Sequence, residues 1–164
     1  MGEVAIRPVE LRDIEGFSRC TGAVMRERVY MAFVDAFPID EAAAFVARNM
    51  RLGNPQYVAD HDGEIVGWCD IRRETIPVYA HCGHLGMGLL PDYRGRGIGE
   101  RLIRATIDAA RSAGFERIEL SVYGRNERAA ALYRKVGFVH EGTRVRGKKL
   151  DGEYDDVHMM GLIL

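Results

Sequence analysis

Leu85-Gly86-Met87-Gly88-Leu89-Leu90-Pro91-Asp92-Tyr93-Arg94-Gly95-Arg96-Gly97-Ile98-Gly99 is the stretch that decides the fold. An apolar run ends at Pro91 and a glycine-rich loop follows. Ile98, Leu102, Ile103, Ile107 and Ala110 then recur at helical spacing until Gly114. In a strand–loop–helix unit the first N–H groups of the helix have no intrahelical partner and carry roughly half a positive charge from the macrodipole. Such an end binds anions, a phosphate or pyrophosphate above all. Arg94 and Arg96 add positive charge beside it. Two common phosphate loops do not fit. A Walker loop requires Gly-Lys-Ser/Thr, which does not occur, and a dinucleotide fingerprint requires a third glycine where Glu100 stands. Gly86 and Gly88 weaken the strand interior, which is justified where another backbone or an amide-bearing ligand lies against it. A phosphate site at the end of a strand shaped for close approach points to a long ligand with phosphates and amides, such as the pantetheine arm of coenzyme A.

Around this unit, Val4-Ala5-Ile6 reads as an edge strand closed by Pro8, and Leu11, Ile14, Phe17 and Cys20 as a helix. Residues 24–37 are rich in Met and aromatic side chains without a clean period, fitting helix or structured loop. A second helix is expected from Asp40 to Met50, and an antiparallel hairpin from Gln56–Asp60 and Ile65–Arg72 about Asp62-Gly63. Ile118, Leu120 and Val122 alternate as a strand. Glu127 to Val136 is a short helix capped by Asn126, and Leu150-Asp151-Gly152-Glu153 turns a last hairpin. The sum is a mixed α/β chain.

At 164 residues, with 47% hydrophobic and 29% charged, one domain over residues 1–164 is expected, able to bury its core without disulfide or metal staples. A net charge of −1 gives no ground for nucleic acid or an anionic membrane as partner. Cys20, Cys69 and Cys82 form no C-x-x-C pair, and His81, Cys82 and His84 beside a strand cannot all point one way, so no metal is expected. No apolar run approaches the ~20 residues of a membrane span, and the first residues lack a signal peptide's plan; a cytoplasmic location is expected.

Two blocks carry a family resemblance. Leu89 to Gly99 resembles the strand exit and [Q/R]-x-x-G-x-[G/A] pyrophosphate loop of the GNAT superfamily of acyl-CoA-dependent N-acetyltransferases. Asn126-Glu127-Arg128-Ala129-Ala130-Ala131-Leu132-Tyr133-Arg134-Lys135-Val136-Gly137-Phe138 resembles that family's N-x-x-A-x-x-L-Y-x-K-x-G-F block. The C-terminal run through Asp151-Gly152-Glu153 and Met159-Met160 is similar to the amino-acid N-acyltransferase and phosphinothricin-type branch. The resemblance implies a mixed, mostly antiparallel twisted sheet of about six to seven strands flanked by about four helices. It implies acetyl-CoA as co-substrate: backbone groups of Met87, Gly88 and Leu89 on the pantetheine, and Arg94, Gly95, Arg96, Gly97, Ile98, Gly99 and Glu100 about the pyrophosphate. Asn126 would contact the arm and Tyr133 the sulfur. Asn126 also reads as a plain helix cap and Tyr133 as core packing. Lys135 or Arg128 could reach the coenzyme's 3′-phosphate or simply face solvent.

The reaction so implied is direct attack of a primary amine on the thioester through a tetrahedral intermediate. An alkyl ammonium has a pKa near 10, so the site must remove a proton, stabilise an oxyanion and protonate the leaving thiolate. Tyr133 suits the last task. For the first, the strand position that holds a Glu in some relatives is Ser121 here, which could hold a water. Near the start of the strand before the glycine loop, His84 is the first candidate base, ahead of Glu119 and His81, and a water chain that deprotonates the amine without a dedicated base stands equally beside them. Met25, Tyr30, Met31, Phe33, Phe37 and Pro38 are expected to be mostly core, with a few lining a slot for a small apolar or aromatic amine or amino acid. The basic run Arg144 to Lys149 reads as a solvated, salt-paired face. Protein N-terminal acetylation, a non-catalytic acyl-CoA-binding module and a dinucleotide-binding oxidoreductase are the competing readings, the last disfavoured by Glu100. Relatives leave a homodimer through the C-terminal strands open.

Overall fold

The computed structural model describes residues 2–164. Its elements run β1 (Ala5–Pro8), α1 (Ile14–Arg26), α2 (Ile39–Leu52), β2 (Gln56–His61), β3 (Glu64–Arg73) and β4 (Cys82–Leu89). After these come α3 (Ile98–Ser112), β5 (Arg117–Tyr123), α4 (Glu127–Lys135), β6 (Val139–Leu150) and β7 (Glu153–Ile163). All strands join one seven-stranded sheet in the order β1-β2-β3-β4-β5-β7-β6. Every neighbour is antiparallel except β4 and β5, which are joined by the α3 crossover and run parallel. Both Asp-Gly turns are as the sequence predicts. Asp62 and Gly63, and Asp151 and Gly152, all have positive φ, the requirement of the turn whose twist matches two flanking strands.

Side-chain alternation divides the sheet's two faces between different helices. Ile98, Leu102, Ile103 and Ile107 of α3 pack with Ala130 and Tyr133 of α4 on Cys69, Ile71, Leu85, Ile118 and Leu120. On the opposite face Phe17, Cys20 and Val24 of α1, with Ala42 and Val46 of α2, cover Val58, Ile65 and Trp68. Burying each large aliphatic side chain contributes about 1.5–3 kcal/mol, so each helix is held by its apolar stripe. The second layer stops at β4, which leaves Ser121 of β5 exposed on that face. Trp68 meets Phe17 edge to face at 6.2 Å, and a Cβ at Gly88 would run into the Trp68 ring. Gly88 is therefore a packing requirement of the core, which corrects its reading as a notch for ligand. No helix among the described residues is long and apolar enough to cross a membrane.

Candidate active site

The chemistry-bearing residues gather where β4 and β5 part. The two strands pair only from Cys82↔Arg117 to His84↔Glu119, while β4 stays with β3 as far as Leu89 and β5 stays with β7 as far as Tyr123. Beyond His84 the strands diverge, and both banks line one cleft of about 1290 Å³. The ladder decides which backbone groups face it. Leu90 N–H donates to Val66 at 2.9 Å, so Gly88 and Gly86, two and four residues back, also turn their N–H and C=O groups to β3. Met87 and Leu89 turn theirs toward the gap. Of the three residues expected to bond a pantetheine arm, only these two present backbone groups to it.

At the mouth of the gap, Gly95 (φ +70°) and Gly97 (φ +78°) hold left-handed conformations with open space where a Cβ would stand. Gly97 caps α3, no side chain satisfies the helix's first turn, and the first helical bond is Arg101 N–H to Gly97 at 3.2 Å. The N–H groups of Ile98, Gly99 and Glu100 therefore form an open nest at the positive helix end. The loop arginines do not complete it as the sequence suggested. Arg94 Nε and Nη2 donate to Leu89 C=O at 2.9 and 2.8 Å, and Nη1 and Nη2 to the Glu27 carboxylate at 2.9 and 2.5 Å. Its guanidinium is a strut between the end of α1 and the end of β4. Arg96 folds back on Asp92 C=O at 3.3 Å and over the Tyr93 ring. The Glu100 carboxylate pairs with Lys135 at 2.5 Å and Arg104 at 2.9 Å, which hold it below the usual carboxylate range, Lys135 most.

α4 brings the second sequence block to the other bank. Asn126 Oδ1 accepts from Ala129 N–H at 3.2 Å, so Asn126 caps the helix, while its amide nitrogen takes no part in the cap. One helical face then carries Tyr133 inward, 7% exposed and edge to face with Phe138 at 5.9 Å, yet lining the cleft. Burial, with Cys69 nearby, raises the Tyr133 phenol far above its ordinary value. It therefore keeps its proton in the working range.

The cleft continues through the gap to the α1/α2 face. There β-register sets Arg72 opposite His84, His84 opposite Glu119, and Asp70 opposite Gly86. His84 is half-buried, and burial with Arg72 beside it lowers its pKa, so the imidazole is neutral near pH 7. Ser121 lines the same side and donates to Met159 Sδ at 3.4 Å. Asp70 and Arg72 were not singled out by sequence reasoning. The available signal was an Asp, a poor strand former, amid the apolar run Ile65 to Ile71. Met25 is core, but Tyr30, Phe33 and Phe37 are 37%, 57% and 38% exposed and line the cleft, correcting the expectation that most of this segment is core. Residues 27–38 form a loop tied to the β6–β7 hairpin by Arg28–Asp151 at 2.8 Å and by Lys148 Nζ to Val29 C=O at 3.1 Å. Lys148 also stands 4.0 Å from the Tyr123 ring centroid. At least this part of the basic run is thus a contact between elements rather than a solvated face. No three His, Cys, Asp or Glu side chains among the described residues are grouped to hold a metal.

The family model described as Acetyltransferase (GNAT) family matches residues 23–138. L-amino acid N-acetyltransferase AaaT of Escherichia coli (strain K12) is 30% identical over 165 residues, 99% of this chain and 99% of that protein. N-alpha-acetyltransferase RimI of Mycobacterium tuberculosis (strain ATCC 25618 / H37Rv) is 39% identical over 110 residues, 65% of this chain and 67% of that protein. Among solved structures, a GNAT superfamily phosphinothricin acetyltransferase from Sinorhizobium meliloti in complex with AcCoA matches with a TM-score of 0.92 at 21% identity, covering 98% of this chain and 88% of that one.

Proposed function

Because this chain belongs to the acetyltransferase (GNAT) family, we propose that it transfers the acetyl group of acetyl-CoA to the primary amine of a small molecule, amino acids foremost. One observation carries the reading: a single cleft runs from the amide nest and Tyr133 on one face, through the β4–β5 gap, to Asp70, Arg72 and His84 on the other. The residues present fit acetyl-CoA. Ile98, Gly99 and Glu100 offer N–H groups to a diphosphate, and Met87 and the Asn126 amide nitrogen offer partners to an amide-bearing arm laid down like an added strand.

The thioester supplies the acyl group and a thiolate leaving group. The remaining tasks fall to the chain. Tyr133, kept neutral by burial, donates a proton to the departing sulfur. The Met87 N–H faces the gap where negative charge builds on the acyl oxygen. His84, neutral at working pH, and Ser121, able to hold a water, line the acceptor side of the cleft. Tyr30, Phe33 and Phe37 suit an apolar side chain, and the Arg72 guanidinium suits a carboxylate. The AaaT relative, named for L-amino acids, supports that acceptor. The RimI relative favours a protein N terminus as a second reading. The contacts between loop 27–38 and the hairpin favour a small acceptor over a chain that must thread between them.

Thiol release from acetyl-CoA is to be measured against the proteinogenic L-amino acids, simple amines and short peptides. Turnover with an apolar or aromatic amino acid is expected, and turnover with peptides alone would support the second reading. Tyr133→Phe is expected to lower kcat about 100-fold. Gly97→Glu puts a carboxylate in the nest and is expected to abolish the thermal shift given by acetyl-CoA. Tight binding of acetyl-CoA, no turnover of any amine and no effect of Tyr133→Phe would mark a non-catalytic acyl-CoA-binding module.

A further inference from the structure

Asp70 sits in the middle of β3, 3% exposed, in a strand otherwise apolar at its centre. A buried carboxylate needs partners, and this one is short of them. Arg72 Nε lies 3.1 Å from Asp70 Oδ1, but the two atoms are not aligned for a hydrogen bond. On β2 the register partner of Asp70 is Gln56, whose Oε1 accepts from Asn49 Nδ2 at 3.0 Å while its Nε2 has no partner. Gln56 Nε2, Asp70 Oδ1 and Arg72 Nε are the only buried side-chain polar atoms among the described residues without a hydrogen bond, and they belong to one cross-strand cluster. Native structures leave few such atoms; two of these face each other as the 3.1 Å ion pair, which leaves the carboxylate with Arg72 alone and Gln56 Nε2 with no partner, room for one more polar group.

Gly86 opens that place to the cleft. A Cβ at Gly86 would stand 3.8 Å from both Asp70 oxygens and 3.9 Å from Arg72 Nη2, with nothing nearer. A side chain there would cover the carboxylate. With glycine the cleft reaches it, and Asp70, Arg72 and Gly86 all line the cleft. We infer that Asp70 is the acceptor's proton-accepting residue: its carboxylate binds the incoming ammonium through the Gly86 notch and removes one proton. This rests on the acetyl-transfer reading above.

The first N–H proton passes to Asp70 and then to solvent through the cleft. The nitrogen lone pair forms the bond to the acetyl carbon and the C–S bond breaks. The sulfur takes the Tyr133 proton, and the second N–H proton restores the phenol. His84 is less suited to receive an ammonium, because it stands on the last paired rung, where the cleft closes, and is neutral beside cationic Arg72. The charged or titratable groups lining this side of the cleft are Arg72 on β3, His84 on β4, Glu41 on α2, Tyr30 of loop 27–38 and Tyr123 on β5. Glu119 of β5 lies beside His84, and α1 contributes only the hydroxyls of Ser18 and Thr21. Burial outweighs Arg72 and pushes the Asp70 carboxyl up to about 6. It is thus ionised at neutral pH and more basic than an ordinary aspartate. Below that value it is protonated and can accept nothing, so activity falls toward acid.

The test is kcat/KM of the full chain from pH 5 to pH 10, by thiol release with the L-amino-acid panel, for wild type, Asp70→Asn and His84→Gln. Wild type is expected to show an acid limb with its midpoint near 6. Asp70→Asn should lose about 100-fold at pH 7. Its deficit should close toward pH 10, where the amine loses its own proton, and His84→Gln should keep the limb. A deficit equal at every pH, or Asp70→Asn turning over like wild type, overturns the proposal while the acetyl-transfer reading stands. No thiol release by wild type with any amine overturns both. Should Asp70→Asn fail to fold, Gly86→Val covers the carboxylate instead. It is expected to cut acceptor kcat/KM at least tenfold with the acetyl-CoA thermal shift intact, and an unchanged kcat/KM overturns the assignment.

Discussion

A carboxyl held above its ordinary value also lowers stability, and Asp70 makes that visible at the level of one residue. Its pKa is about 6 in the fold against 3.8 for the free side chain. The folded state binds the proton more tightly than the unfolded chain does, so stability is greatest at acid pH and declines as pH rises from about 4 to about 6. Above that range the penalty is constant. At 1.36 kcal/mol per pKa unit it is on the order of 2–3 kcal/mol. Asp70→Asn removes it, so the variant's Tm should exceed that of wild type at pH 8 and converge with it below about pH 4. Melting curves at the two extremes check this. A variant less stable than wild type at pH 8 would mean that the Arg72 ion pair outweighs burial. A group that destabilises the fold at working pH has its natural explanation in function.

Between elements, the Glu27–Arg94 pair links the end of α1 to the start of the glycine loop. Glu27 ends α1 and begins the loop that walls the acceptor side, while Arg94 follows β4 and begins the glycine loop. The two-pronged carboxylate contact is mostly screened from water, with side chains 25% and 16% exposed, so it is worth more than a surface pair. Glu27→Gln keeps the shape and removes the charge. Loop 27–38 should loosen, raising the acceptor KM about tenfold, the effect of roughly 1.4 kcal/mol. The amide nest rests on backbone conformation, so the acetyl-CoA thermal shift should be unchanged. Steady-state kinetics and a thermal-shift titration separate the two effects, and equal loss of both ligands would show that Arg94 also supports the nest.

For the whole molecule, both hydrophobic layers lean on one continuous sheet, and the strands that part at the cleft stay paired at their start, from Cys82↔Arg117 to His84↔Glu119. We therefore propose that residues 1–164 fold as one unit. Unfolding followed by Trp68 fluorescence, which reports the α1/α2 layer, should coincide with far-UV circular dichroism, which reports the whole. Separate midpoints would divide the chain into two cooperative parts.

Much of this was legible beforehand because the signals are local. Turn chemistry at Asp62-Gly63 and Asp151-Gly152 depends on φ at two residues, and the amphipathic period of α3 on its own register. The glycine loop's capacity to bind an anion follows from where a helix starts. Arg94 and Gly88 were misread because their meaning depends on what the fold brings near. Glu27 lies 67 residues from Arg94, and the Trp68 ring that excludes a Cβ at Gly88 comes from another strand. Asp70 was overlooked for the same reason: its strand says only that it is buried. The order of elements and the amide nest can be read from the chain alone, because both follow from near-neighbour geometry. Which groups share the cleft is fixed by the folded arrangement, because strand register and the β4–β5 divergence set residues distant in the chain side by side.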